Sequence, residues 1–170
     1  MKKIFFVFTL FFAFATQAQV KDITIQASGL TCSMCSNSIF KALQTLDFVE
    51  KVDANIKNSS FGISFKPGAD IDFDQLKAKV EDAGFFVASF RVTMNFDKLT
   101  VNNDAHVNVG KNVFHFLGVK DQYLNGDKVI RILDKGFVSS KEFKKNSKLT
   151  KMECYGSGEE AGKRVFHVTI

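Results

Sequence analysis

The chain has 170 residues, which is enough for one ordinary domain or two small ones. Hydrophobic residues make up 45% of it and charged residues 24%, with a single proline, which is typical of a folded globular protein and excludes a low-complexity chain. The net charge of +5 comes from scattered residues and not from a basic stripe, so we expect no nucleic-acid partner.

The first residues have the pattern of a secretory signal peptide. Two lysines form a basic start, residues 4–15 are apolar, and Thr16 and Ala18 supply small side chains at a cleavage site. The apolar run is shorter than the roughly 18 residues that a retained membrane helix needs. We therefore expect residues 1–18 to be removed near Ala18. The mature protein would then be periplasmic or secreted, with no membrane insertion after cleavage.

The next part of the chain begins with a predicted strand and an amphipathic helix. Residues 20–27 alternate apolar and polar side chains, the pattern of a half-buried strand. After a turn at Gly29, Cys35 and Ile39 begin an apolar stripe at helical spacing. A β-hairpin follows, with its turn at residues 58–60.

A second helix is predicted between Asp72 and Gly84. Asp72 and Gln75 are spaced as in a capping box, and glycine commonly ends helices. Residues 85–94 are rich in β-branched and aromatic side chains and predict a final strand. The order over residues 19–94 is therefore β-α-β-β-α-β, the ferredoxin-like arrangement.

From residue 95 onward the pattern changes to short alternating segments separated by turns, such as Asn125-Gly126 and the glycine-rich run at residues 156–162. We expect residues 95–170 to form a second, mainly antiparallel β domain, either a small barrel or a sandwich. The predicted fold class is thus α+β, with a ferredoxin-like domain followed by a small β domain.

This second part contains further candidate ligands. Cys154 and Met152 are two residues apart, so on a strand both sulfurs would face one side. We interpret Cys154 as a buried structural thiol, with a second soft-metal site as the alternative. His115 and His167 each follow a phenylalanine, and alternation places them on the opposite face. We interpret both, and His106, as solvent-facing, with metal binding as the alternative.

Cys32 and Cys35 form a Cys-x-x-Cys pair between a glycine-containing loop and the start of a helix. The helix dipole and the unpaired backbone N–H groups at such a position favour thiolates. Thiolates are both nucleophiles and ligands for soft metals. The pair is therefore a candidate disulfide, a candidate redox site or a candidate metal clamp.

The metal clamp fits these residues best. Closing so short a loop contributes only about 2 kcal/mol, whereas a bond from Cys32 to Cys154 would contribute about 5. A thioredoxin-like site has Trp-Cys-Gly-Pro-Cys and a facing cis-proline. Here Ser33 and Met34 separate the cysteines, and Pro67 lies in a Lys-Pro-Gly turn. Two thiolates alone favour Cu(I), because zinc prefers four ligands and calcium or magnesium prefers oxygen.

The stretch GLTCSMC, within a β-α-β-β-α-β order that ends in EDAGFFV, resembles the heavy-metal-associated domain family. That family includes copper chaperones, domains of copper-pumping ATPases and periplasmic mercury-binding proteins, and its motif is Gly-Met-Thr-Cys-x-x-Cys. The resemblance covers residues 20–94 and implies that Cys32 and Cys35 are the metal ligands. It also implies that Leu30 packs under the loop in place of the motif's methionine. Phe85 is expected beside the loop.

The resulting hypothesis is an exported soft-metal-binding protein, a Cu(I) carrier or chaperone and not an enzyme. It would pass its ion by ligand exchange to a metal-donating or metal-accepting partner, such as a transporter or another chaperone. The alternatives for the ion are Hg(II), another thiophilic ion, or Zn(II). The alternatives for the function are a thiol–disulfide redox protein and an interaction module that senses metal.

Overall fold

The structure is a computed structural model that describes residues 19–30 and 33–170. The signal peptide predicted at residues 1–18 lies outside the described residues, as do Thr31 and Cys32. Within the described ranges, no helix combines the length and the apolar character needed to cross a bilayer.

The first part of the chain has the predicted β-α-β-β-α-β order. Its elements are β1 (Gln19–Ser28), α1 (Ser33–Gln44), β2 (Val49–Asn55), β3 (Ser60–Phe65), α2 (Phe73–Asp82) and β4 (Phe86–Val101). Each helix buries the apolar stripe that the sequence predicts, with Ile39 fully buried on α1 and Leu76 on α2. These side chains join Ile23 and Ile25 of β1 in the main hydrophobic core.

The second part of the chain is mainly β-structure with two short helices. Its elements are β5 (Ala105–Val109), β6 (Asn112–Phe116), β7 (Gln122–Ile132), α3 (Ser140–Asn146), α4 (Cys154–Ser157), β8 (Glu159–Glu160) and β9 (Lys163–Thr169). The sheet order is β2-β3-β1-β4-β7-β9-β6-β5, and β8 pairs with β9. The pairing of β6 with β9 is parallel, and the other pairs of these strands are antiparallel.

β4 is a 16-residue strand that crosses the predicted start of the second domain at residue 95. It pairs with β1 on one side and with β7 on the other. Because β4 is long enough to pair with both, the later strands extend the sheet of the first part. The barrel or sandwich predicted for residues 95–170 is therefore not confirmed.

The main core also runs through both parts of the chain. The ring of Phe73 on α2 lies 5.9 Å from that of Phe90 on β4 and 5.2 Å from that of Phe166 on β9, measured between centroids. Arg164 of β9 donates a hydrogen bond from Nε to Oδ2 of Asp74 on α2 at 3.0 Å. The helix layer of the first part thus packs on strands of the second.

A smaller core holds the short C-terminal helices. It consists of Leu117, Leu133, Val138 and Tyr155, with Phe143 of α3 packed against it. The Tyr155 ring stacks on Phe143 at 4.7 Å between centroids. The Tyr155 hydroxyl donates to the carbonyl oxygen of Phe143 at 2.9 Å. This packing fixes α4, and with it the position of Cys154.

Candidate metal centre

A left-handed turn leads from β1 into the predicted metal loop. β1 ends at Ser28, and Gly29 has φ +86°, a backbone conformation that glycine adopts without strain. Leu30 is half-buried and packs against the main core. α1 begins at Ser33. Cys32, one of the two predicted ligands, lies outside the described residues.

Cys35, the other predicted ligand, lies in the first turn of α1. Its side chain is partly exposed, whereas the next residue, Ser36, is buried and Met34 before it is 80% exposed. Residues at this end of a helix lie close to unpaired backbone N–H groups, which favour an anionic sulfur. The first turn of α1 contains no acidic residue that would favour a hard, oxygen-seeking cation.

The end of α2 places an aromatic ring against this loop. Gly84 has φ +87° and donates its N–H to the carbonyl oxygen of Glu81 at 2.8 Å, while Phe85 donates to that of Val80 at 3.2 Å. Together these two bonds form a Schellman motif, which fixes the direction of the chain after the helix. The Phe85 ring then lies about a van der Waals contact from Gly29, with Cδ1 3.9 Å from the place a Cβ would occupy there. Phe85 is therefore next to the loop.

The structure corrects the interpretation of the candidates in the second part of the chain. Cys154 is not on a strand but at the start of α4. The sulfur atoms of Met152 and Cys154 therefore do not lie on one face of a strand. Met152 is 41% exposed, whereas Cys154 is 5% exposed. His115 and His167 do point away from their phenylalanine neighbours, but both are fully buried and not solvent-facing. The reason is that α4 and the smaller core cover this side of the sheet. His106 is partly buried.

Burial also shifts the pKa of two of these groups, His115 and Cys154. It lowers the pKa of His115, and the neighbouring His106 and His167 lower it further. Burial raises the pKa of the Cys154 thiol, with a further contribution from Glu160. A thiol with a raised pKa is the opposite of an activated nucleophile.

Comparison with known protein families gives one match in this region. The family model described as the heavy-metal-associated domain matches residues 24–86, which include the second half of β1, α1 and the predicted metal loop. The match ends at the start of β4, so it does not cover the second part of the chain.

Curated proteins of two kinds match the same region, copper-transporting ATPases and a mercuric transport protein. A probable copper-exporting P-type ATPase of Archaeoglobus fulgidus is 34% identical over 73 residues, which cover 43% of this chain and 9% of the ATPase. The periplasmic component of mercuric transport from Pseudomonas fluorescens is 31% identical over 68 residues, covering 40% of this chain and 74% of that protein. The chain thus spans a tenth or less of the ATPases it matches.

A solved structure covers a similar part of the chain. The crystal structure of oxidized MerP from Ralstonia metallidurans CH34 is 26% identical, with a TM-score of 0.38, and covers 41% of this chain and 96% of that one.

Proposed function

The chain belongs to the heavy-metal-associated domain family, and from that premise we propose that it is a Cu(I) carrier that uses Cys32 and Cys35 as its two ligands. The observation that carries the proposal is the placement of Cys35 at the exposed first turn of α1, directly after the Gly29 turn. Two thiolates at one helix N-terminus suit a soft monovalent ion of low coordination number. A carrier of this kind is a binding protein and not an enzyme.

Transfer would proceed by ligand exchange at an accessible loop. A thiolate of the partner protein joins the ion as a third ligand, and one of the two cysteines then leaves. The second cysteine follows when another partner thiolate replaces it, so copper stays in its Cu(I) state throughout. The partial exposure of Cys35 and the exposure of Met34 leave room for the approach. The partner would be a metal-donating or metal-accepting protein, such as a transporter or another chaperone.

The direct test is a Cu(I) titration of the full chain under reducing conditions against a competing chelator. We expect the C32A/C35A double variant to lose the tight Cu(I) equivalent, with at least about a 100-fold loss of affinity, since even an outer-shell change costs 10- to 100-fold. The matched control is Met34→Leu, which removes the exposed sulfur between the two cysteines and should leave the affinity unchanged. Equal Cu(I) affinity of the wild type and the double variant would refute the proposal.

Hg(II) is a second candidate for the cargo, favoured by the match to three quarters of a mercuric transport protein. Both ions bind thiolates, so affinity alone does not separate them. The discriminating measurement is transfer of each ion from this protein to an acceptor domain in the presence of glutathione. The cargo is the ion that glutathione does not remove from the protein and that still reaches the acceptor. A redox role, one of the two other functional alternatives, would require catalysis of insulin reduction by the metal-free protein.

We also propose that the protein acts outside the cytoplasm after removal of residues 1–18. The basic start and the apolar run of that segment support this. The related mercuric transport component is itself periplasmic by name. Fractionation of cells followed by N-terminal sequencing tests it: a mature chain that begins near Gln19 is expected, and an intact N-terminus in the cytoplasm would contradict it.

A further inference from the structure

Three histidines lie in one row across the second part of the sheet. The antiparallel pairing of β5 with β6 places His106 opposite His115, and the parallel pairing of β6 with β9 places His115 opposite His167. Side chains of directly paired residues project from the same face, so the three imidazoles are neighbours. Their ring centroids are 4.4 Å apart for His106 and His115 and 5.0 Å apart for His115 and His167.

Cys154 lies over this row at the start of α4. Its Sγ is 3.4 Å from His106 Nε2, 3.6 Å from His115 Nδ1 and 3.4 Å from His167 Nε2. One ring nitrogen of each histidine therefore faces the same sulfur. The ligand atoms of His106, His115 and Cys154 all lie within 4.8 Å of one another.

The other ring nitrogen of each histidine faces a carboxylate. The three pairs are His106 Nδ1 with Glu160 Oε2 at 2.9 Å, His115 Nε2 with Asp104 Oδ1 at 2.9 Å, and His167 Nδ1 with Asp134 Oδ1 at 2.6 Å. A carboxylate fixes the ring N–H on its own side and leaves the unprotonated nitrogen to point at the sulfur. Metal-binding histidines almost always have such a partner, which orients the ring and raises its basicity.

Hydrogen bonding alone does not satisfy this arrangement. A thiol has one proton and can donate it to one nitrogen, so two further nitrogen lone pairs face the sulfur without a donor. His115, His167 and Cys154 are buried, where an unpaired polar group is costly. A cation beside the sulfur would engage Cys154 and the nitrogens of His106 and His115, whose ligand atoms are mutually close, and would leave the thiol of no further use as a donor there.

The distances fit a tetrahedral ion. Zinc binds nitrogen at about 2.0–2.1 Å and thiolate sulfur at about 2.3 Å, so tetrahedral angles separate the two donor atoms by about 3.6 Å. The observed separations of nitrogen from sulfur, 3.4 to 3.6 Å, agree with that value. Calcium and magnesium are excluded by the nitrogen and sulfur ligands.

We propose that His106, His115 and Cys154 form a second metal site, of the two-imidazole, one-thiolate type, and that its ion is Zn²⁺, with His167 beside the sulfur as a neighbour. Three protein ligands leave the fourth position of a tetrahedral zinc ion to water. Binding would release the Cys154 thiol proton to solvent, and the zinc would connect α4 to β5 and β6. The entry route is the edge at His106, whose side chain is 19% exposed beside a half-exposed Glu160. None of the ligands belongs to the Cys-x-x-Cys loop.

The test uses the full chain with C32S and C35S, so that only the second site can bind. Titration with Co²⁺ alone should give one equivalent with the intense d–d bands of tetrahedral cobalt and a thiolate charge-transfer band, and Zn²⁺ should displace it. The thermal midpoint should rise with zinc concentration, because an ion that binds only the native state stabilises it. A folded double variant that binds no equivalent, or that gives an octahedral cobalt spectrum, would overturn the proposal.

Variants of two ligands make the assignment specific. In the same background, Cys154→Ser should abolish the charge-transfer band and weaken zinc binding by about 100-fold or more, whereas Met152→Leu, which removes the nearby exposed sulfur, should change neither. Because a buried substitution can impair folding, His106→Gln at the accessible edge is the second variant, with its fold checked by circular dichroism. A folded His106→Gln protein that binds zinc as tightly as its parent would rule the site out.

Discussion

At the scale of single residues, Gly84 ends α2 and sets the direction in which Phe85 approaches the predicted metal loop. Its φ of +87° is the left-handed conformation that a side chain makes unfavourable, and the space around it is open. The cost of a side chain there is therefore backbone strain and not a clash. The same conformation aims Phe85 at Gly29.

Gly84→Ala should lower the free energy of unfolding by about 1–2 kcal/mol, because alanine disfavours the left-handed region. Urea denaturation measures the change. Gly62→Ala is the matched control, since Gly62 is not in that region and an added Cβ would make only an ordinary contact, at 3.9 Å from Asp53 O. Equal losses in the two variants would show that backbone conformation is not the cause.

The sequence predicted residues of this kind well where local chemistry decides their role. Gly84 follows from a helix-ending motif, and the place of Phe85 beside the loop from the family resemblance. The histidine row did not follow, because it depends on a parallel pairing between segments about fifty residues apart in the chain. A signal was present in the tripeptide Val-Phe-His, which occurs at Val113 and again at Val165 and pairs in register in the structure. Alternation alone could not show that a helix covers that face.

At the scale of elements, α2 shows how completely local signals can define a helix. Asp72 accepts a hydrogen bond from the backbone N–H of Gln75 at 3.0 Å, as predicted. The Gln75 side chain donates to the other carboxylate oxygen of Asp72 at 3.0 Å. By contrast, the segment that contains α4 resembled a strand, because a helix of four residues has no measurable periodicity. Its position is determined by the packing of Tyr155.

Asp72→Ala should destabilise the protein by about 1 kcal/mol through loss of the cap on α2, whereas Asp72→Asn should retain most of the stability because asparagine caps equally well. Chemical denaturation of both variants provides the measurement. If Asp72→Asn were as destabilising as Asp72→Ala, the carboxylate charge and not the cap would be the contribution that matters.

At the scale of the whole molecule, the shared sheet and core make the two predicted domains depend on each other. The domain boundary predicted between residues 94 and 95 stays a prediction. The strand that contains it is continuous, and Phe166 of the last strand packs on Phe73 of α2 at 5.2 Å between centroids. Contacts of this kind favour one cooperative unit.

Phe166→Ala should lower the free energy of unfolding by about 3–5 kcal/mol, as is usual for a buried phenylalanine, and should do so for both parts of the chain together. Native-state hydrogen exchange at amides of β1 and β9 reports on each part separately. Tyr123→Ala, at a residue that is 75% exposed, is the control and should change little. Loss of protection in β9 alone would mean that the parts unfold independently.

The inner position of β4 also limits how the chain can be shortened. Cut back to a fragment that ends with β4, the protein would present β4 as an edge, with the amide and carbonyl groups that now pair with β7 left open. Buried side chains beside that edge, such as Phe90 and Met94, would lose cover at the same time. Long, flat, apolar edges recruit other strands, so such a fragment would tend towards aggregation. In this protein, the pairing of β7 with β4 therefore also covers an edge of the first part that could otherwise pair with another chain.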